Sequence, residues 1–298
     1  MASSTTFGGP APAVTVGDVK VTAFVDVDLD FPMGLDQVFP DVDPESWDPH
    51  RERYPGAFGS DSGWRYRVHC YLVKSADRTV LVDTGCGPAS LAFPAFMGVA
   101  GALPTRLAAA GVDVEDIDTV LITHVHPDHV GGVLDRDSPA PSPAFPRARY
   151  LVPRADVETW ERPEVREGFP IPFVGDTLDP LIELGVVDLV HGELTLGREL
   201  TILETPGHTP GHSSLLIMSA RETALLAGDV WLHPAQVTEP SWASAFDMDA
   251  QTATQTRISL AQRVADEGMT VGACHFPEPF GQLVRLEGRH HWIPLSET

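Results

Sequence analysis

The residues Thr123-His124-Val125-His126-Pro127-Asp128-His129-Val130-Gly131-Gly132 place three imidazoles and one carboxylate within six positions. They follow an apolar run, residues 117–122, whose β-branched Ile117, Val120 and Ile122 predict a buried strand. His124 and His126 are two apart, so in an extended segment they point the same way. Pro127 ends the strand and suits the first turn of a helix, which Asp128 and His129 then open. Gly131 and Gly132 let another segment pass close to the backbone. Two ligands from a strand end and two from a helix start can thus converge on one point. Nitrogen and carboxylate donors in that number suit zinc or another first-row divalent ion. A solvated polar loop needs no such concentration, and the stretch reads as a metal site.

The 298-residue chain has ample material for a core, and its net charge of −22 is spread along it rather than gathered in a tail. That charge argues against polyanionic partners: no nucleic acid, no anionic membrane surface, and no nuclease activity. Residues 1–13, rich in Ser, Gly and Pro and without a basic residue, are expected to be a mobile N-terminal tail rather than a signal peptide. Residues 14–298 then form a single domain. No stretch of membrane-spanning length is free of Pro or charge. Cys70, Cys86 and Cys274 are too few and scattered for a disulfide framework, which points to a reducing, cytoplasmic setting.

Along the chain, residues 19–27 predict an opening strand. Residues 28–66 hold five prolines and the aromatics Phe31, Phe39, Trp47, Tyr54, Phe58 and Trp64, and read as an irregular, lid-like insertion. Those rings either wall an apolar pocket or pin the segment to the core. Paired strands follow at 68–74 and 79–82, then Asp83-Thr84-Gly85. The apolar stretch 91–103 is core or a substrate-facing wall, and 106–111 a short helix ending on glycine. Residues 149–152, 186–189, 200–203, 214–218, 223–226 and 271–273 predict strands. Residues 154–161 predict a helix and 164–179 irregular chain. The strongest amphipathic helix is 249–267, with Ile258, Leu260, Ala261, Val264 and Ala265 on one face. Strands and helices in this order suggest an α/β sandwich.

Three predicted strands end on further ligand candidates: Pro206-Gly207-His208-Thr209-Pro210-Gly211-His212, Gly228-Asp229, and Cys274-His275. With Asp83-Thr84-Gly85 and the histidine stretch, the chain resembles the metallo-β-lactamase superfamily, in order, over roughly residues 68–280. The resemblance implies an αββα sandwich (α/β class) of two packed mixed sheets flanked by helices. It also implies two divalent ions, zinc first, with manganese, cobalt or iron as alternatives. By position, His124, His126 and His208 hold one ion; Asp128, His129 and His275 hold the other; Asp229 bridges them. Asp83 would orient a ligand imidazole from behind, and His212 is structural. Cys274, next to His275 in an expected strand, should point to the other face and is no ligand; Cys86 is packing.

Many lactonases of this fold carry a tyrosine three residues after the bridging aspartate. Here that position is Leu232, and the next residue, His233, is a candidate oxyanion donor or proton source, with an ordinary loop histidine as the alternative. Residues 228–247 and 272–277 resemble the branch of methyl-parathion-type organophosphate hydrolases, lactonases and esterases, commonly homodimers. The implied function is hydrolysis of an apolar small-molecule lactone or ester by a metal-bridging hydroxide. Asp128 and Asp229 are at the reacting centre, and Asp229 is the proton shuttle. Phosphotriester turnover would be a side activity. A β-lactamase, a thioester hydrolase, or an iron-containing redox enzyme of the sulfur dioxygenase type are the alternatives on the same fold.

Overall fold

The computed structural model describes residues 11–295. Most of the expected tail, residues 1–10, lies outside them. The chain forms β1 (Ala13–Val16), β2 (Val19–Asp30), β3 (Arg65–Lys74), β4 (Thr79–Val82) and β5 (Thr119–Leu121). A small ribbon, β6 (Leu134–Asp135) with β7 (Ser142–Pro143), precedes β8 (Arg149–Pro153) and β9 (Val187–Val190). Then come β10 (Leu194–Thr195), β11 (Leu200–Glu204), β12 (Ser213–Ser219), β13 (Glu222–Leu226), β14 (Thr270–Gly272), β15 (Phe280–Leu286) and β16 (Arg289–Pro294). Ala13 already pairs with Thr22, one residue inside the expected tail.

Two seven-stranded sheets result, in the orders β1-β2-β3-β4-β5-β8-β9 and β10-β11-β12-β13-β14-β15-β16. Both are mixed: β4–β5, β5–β8, β8–β9 and β13–β14 are parallel. Alternation along each strand explains the layering. Val80 and Val82 face the inter-sheet core with Leu121, Leu215, Ile217 and Leu226. Leu81 and Val120 face outward, onto the helices that carry Leu103, Leu107, Trp160 and Leu181. On the second sheet Leu203 and Leu225 point out to Leu260, Ala261 and Val264 of the helix Ala250–Glu267. The architecture is the expected αββα sandwich. Each fully buried Leu or Val contributes roughly 1.5–3 kcal/mol relative to exposure.

Several local expectations need correction. The long helix is there, capped by Asp249 accepting from Thr252 N–H, but Ile258 is 52% exposed while Arg257 is fully buried. The segment between β2 and β3 is not irregular. It folds into short helical turns at Leu35–Val38, Pro44–Trp47, Asp48–Arg53 and Pro55–Ala57. Phe39, Trp47, Tyr54 and Trp64 are buried beneath them, so these rings pin the segment down. Residues 164–179 likewise hold the helix Pro163–Gly168 and the start of Leu178–Glu183. Helices of four to six residues leave no periodicity to read.

Strands β4, β5, β11, β13 and β14 all run toward one edge of the sandwich. Asp83, His124, His208, Asp229 and His275 follow their ends.

Candidate metal centre

The helix Pro127–Val130 opens as expected, with His126 extended at its N-cap. The backbone that Gly131 admits is the loop after β4: a Cβ on Gly131 would lie 2.0 Å from Cys86 O. This crossing brings the loop of Asp83 under the histidine stretch.

His124 Nε2, His126 Nδ1 and His208 Nε2 face one another, at 3.1 Å and 3.0 Å along the two shortest edges. Donors ~2.0–2.1 Å from a shared tetrahedral ion sit roughly 3.3–3.4 Å apart, so the spacing fits one first-row ion. Burial, with the charge of His129, pushes the His124 pKa well down. Burial and neighbouring His208 bring His126 to about 3. Both rings are thus neutral, the coordinating form.

The second set meets this one through Asp229. Asp229 Oδ2 is 3.5 Å from His208 Nε2 and 3.0 Å from His275 Nε2, and Oδ1 is 3.4 Å from His129 Nε2. Asp128 Oδ2 lies 3.3 Å from His129 Nε2 and 3.5 Å from His275 Nε2. All seven residues are at most 7% exposed. Yet His129 Nε2 and Asp229 Oδ1 have no hydrogen-bond partner. Each such buried polar atom costs about 1–3 kcal/mol, and a divalent cation between them would remove that cost. Burial opposes charge on His129 and His275, but the carboxylates around them outweigh it and raise both pKa values well above the usual range. Asp128 and Asp229 are held low by the same histidines. In the metal-free chain protons do the neutralising that a cation would take over.

The far nitrogens of the ligand imidazoles are fixed from behind, the arrangement that sets tautomer and ring direction. His129 Nδ1 donates to Asp83 Oδ2 at 2.8 Å. Asp83 has a left-handed φ of 61° and is held there by Thr123 N–H and Oγ1, both at 2.8 Å. His275 Nδ1 donates to Arg67 O at 2.5 Å. His212 sits behind the ligands: its Nδ1 donates to Thr205 O, and its Nε2 accepts from Asp229 N–H at 2.9 Å. Burial first, with His208 nearby, brings its pKa to about 3, which keeps that acceptor available. Gly228, at φ 56°, passes so close that a Cβ would lie 2.7 Å from His212 Nε2.

Four supporting residues carry no sequence marker. His208 Nδ1 donates to Asp247 Oδ1 at 3.1 Å, and Arg257 Nη2 donates to Asp247 Oδ2 at 2.6 Å. Burial opposes ionisation of Asp247, but the His208 bond and the Arg257 charge prevail and hold its pKa at about 2. Asp156 clamps both ligand loops, accepting from Val125 N–H, Thr209 Oγ1 and Gly211 N–H. Tyr66 donates to Asp128 Oδ2 at 2.5 Å.

Two sequence expectations meet a different geometry. β14 ends at Gly272, so strand alternation does not govern Cys274. Its Sγ lies within 4.8 Å of ligand atoms of His129, Asp229 and His275 rather than on the opposite face. His233 is fully buried in a cage of Phe39, Trp47 and Phe58, with ring centroids 6.4, 5.1 and 4.9 Å away. Its Nδ1 accepts from Ala235 N–H. Burial, then His50, holds its pKa at about 3. Cys70, Cys86 and Cys274 are free and buried. No helix among the described residues is long and apolar enough to cross a membrane.

The family model described as the metallo-beta-lactamase superfamily matches residues 63–275. An N-acyl homoserine lactonase of Bacillus sp is 26% identical over 172 residues, 53% of this chain and 61% of that protein. The crystal structure of AbOPH, a hydrolase in the beta lactamase superfamily, superposes with a TM-score of 0.81 at 25% identity, covering 97% of this chain and 98% of that one. AidC, a dizinc quorum-quenching lactonase, gives the same TM-score and the same coverage at 21% identity.

Proposed function

This chain belongs to the metallo-β-lactamase superfamily and is a metal-dependent hydrolase of its lactonase-like branch, and from that premise we propose a two-metal enzyme that opens lactones and other apolar esters. The observation that carries the reading is Asp229, which lies between two buried ligand sets, its Oδ2 3.5 Å from His208 Nε2 and 3.0 Å from His275 Nε2 and its Oδ1 3.4 Å from His129 Nε2. His124, His126 and His208 would hold one ion, and Asp128, His129 and His275 the other, with Asp229 between them. Bound there, two divalent ions, zinc first, supply an activated water and a Lewis acid for an acyl or phosphoryl centre.

The chain's own residues do the rest. Asp229, set between the two ligand sets, would accept the proton that an activated water gives up. Asp83 and Asp247 keep the His129 and His208 rings aimed. Phe169 stacks on His126 at 5.8 Å, and Phe31 packs on Tyr66 at 4.8 Å and edge-on to Phe246 at 6.1 Å. These half-buried rings on either side of the ligands suit an apolar acyl or aryl group. Phosphotriester turnover is a side activity of the same centre. His233 belongs to the aromatic wall and anchors the segment before β3.

The test is a panel of lactone, aryl ester, thioester, β-lactam and phosphotriester substrates, run with and without chelator and with Asp229→Asn. Chelator-sensitive lactone and ester turnover, abolished by Asp229→Asn in a folded protein, is expected. Full activity in that variant sinks the assignment.

A further inference from the structure

Resting on the two-metal reading above, we propose that Tyr66 is the positioning residue of the second ligand set, fixing Asp128 and His275 against each other. The two ligands come from distant parts of the chain, and both lean on Tyr66 of β3. The Tyr66 hydroxyl donates to Asp128 Oδ2 at 2.5 Å, a charge-assisted bond of the short, strong kind. The Tyr66 ring lies nearly flat on the His275 imidazole, centroids 4.7 Å apart and planes 24° apart. The next residue, Arg67, offers its carbonyl to His275 Nδ1. Tyr66 therefore sets the rotation of the carboxylate and the tilt of the imidazole, with the Arg67 carbonyl fixing the imidazole's far nitrogen.

Tyr66 itself has little freedom. It is 3% exposed and wedged between Phe31 and Trp64, at 4.8 and 4.9 Å. Trp64 also meets His275 edge-on, at 5.7 Å. Among the described contacts none joins Tyr66 to His124, His126 or His208, so its influence is confined to one of the two sets. Losing an outer partner of a metal ligand typically weakens metal affinity 10–100-fold.

The experiment titrates cobalt(II) into metal-free wild type and Tyr66→Phe, reading calorimetry and visible absorption together. The phenylalanine keeps the ring stack and removes the donor. The expected result is two tight steps in wild type and, in the variant, one step unchanged and one weakened 10–100-fold. Wild-type constants for both steps in the variant, or equal weakening of both, overturn the proposal. Should the variant not fold, ring-labelled tyrosine in wild type answers the question. The chain has four tyrosines, and one signal should shift with only one of the two equivalents. No shift, or a shift with both equivalents, overturns it as well. A wild type that takes up a single equivalent contradicts the two-metal reading instead, and is told apart by that stoichiometry.

Discussion

Arg257→Met separates what the site needs for stability from what it needs for chemistry. Arg257 is fully buried on the helix Ala250–Glu267, donating from Nε to Val230 O at 2.8 Å and from Nη2 to Asp247 Oδ2 at 2.6 Å. Methionine fills similar length but leaves the Asp247 carboxylate buried without its cation. Removing one partner of such a pair costs about 3–5 kcal/mol. Urea denaturation of metal-free protein should show that loss as a lower midpoint with an unchanged slope. Adding Asp247→Leu removes the stranded charge and should recover much of the stability, because replacing both partners by apolar groups is close to neutral. The double variant should still bind metal 10–100-fold more weakly, since His208 Nδ1 has lost its acceptor. A loss below about 1 kcal/mol for Arg257→Met would refute the buried-pair reasoning. Wild-type metal affinity in the double variant would refute the role given to Asp247.

Burial, the largest cause for both, holds His50 and His69 neutral, with pKa values of about 4 against an ordinary 6.5. Each takes up a proton on unfolding between those values. Stability is therefore complete above pH 6.5 and falls toward pH 4 by about 1.4 kcal/mol per pH unit per histidine. Denaturation midpoints across that range should show the slope, and His69→Phe should reduce it by one proton. Chelation should lower the melting temperature while leaving the far-ultraviolet dichroism intact, because the inter-sheet core does not depend on the ligands. His233→Phe should keep turnover and lose about 1–3 kcal/mol of stability as Ala235 N–H loses its acceptor. A fall of roughly 100-fold or more in kcat at unchanged stability would instead restore His233 as an oxyanion donor.

Four of the seven ligand candidates are legible locally because they lie in one strand–turn–helix stretch, and the other three follow strand ends through turns that contain Gly or Pro; the division into two sets comes from the family resemblance. The order of strands and helices is enough to suggest an α/β sandwich, while the two packed sheets follow from the family resemblance. What supports the ligands is not legible. Tyr66 meets Asp128 across 62 residues, Asp247 meets His208 across 39, and Asp156 meets Val125 across 31. No local pattern announces such pairs. Arg257 shows the cost of reading a helix by hydrophobicity alone. The sequence pattern puts Ile258 on the apolar face, whereas Arg257 turns inward to a buried carboxylate and Ile258 is exposed. Cys274 was misplaced because β14 stops two residues before it, which ends the strand alternation assumed for it.

The most direct test of the central claim is metal content by plasma mass spectrometry on protein purified without chelator, alongside lactone hydrolysis on the same sample. Two equivalents of zinc or a related divalent ion, falling with activity in Asp229→Asn, is the predicted result. No bound metal after metal-replete expression, or undiminished metal and turnover in Asp229→Asn, would contradict it.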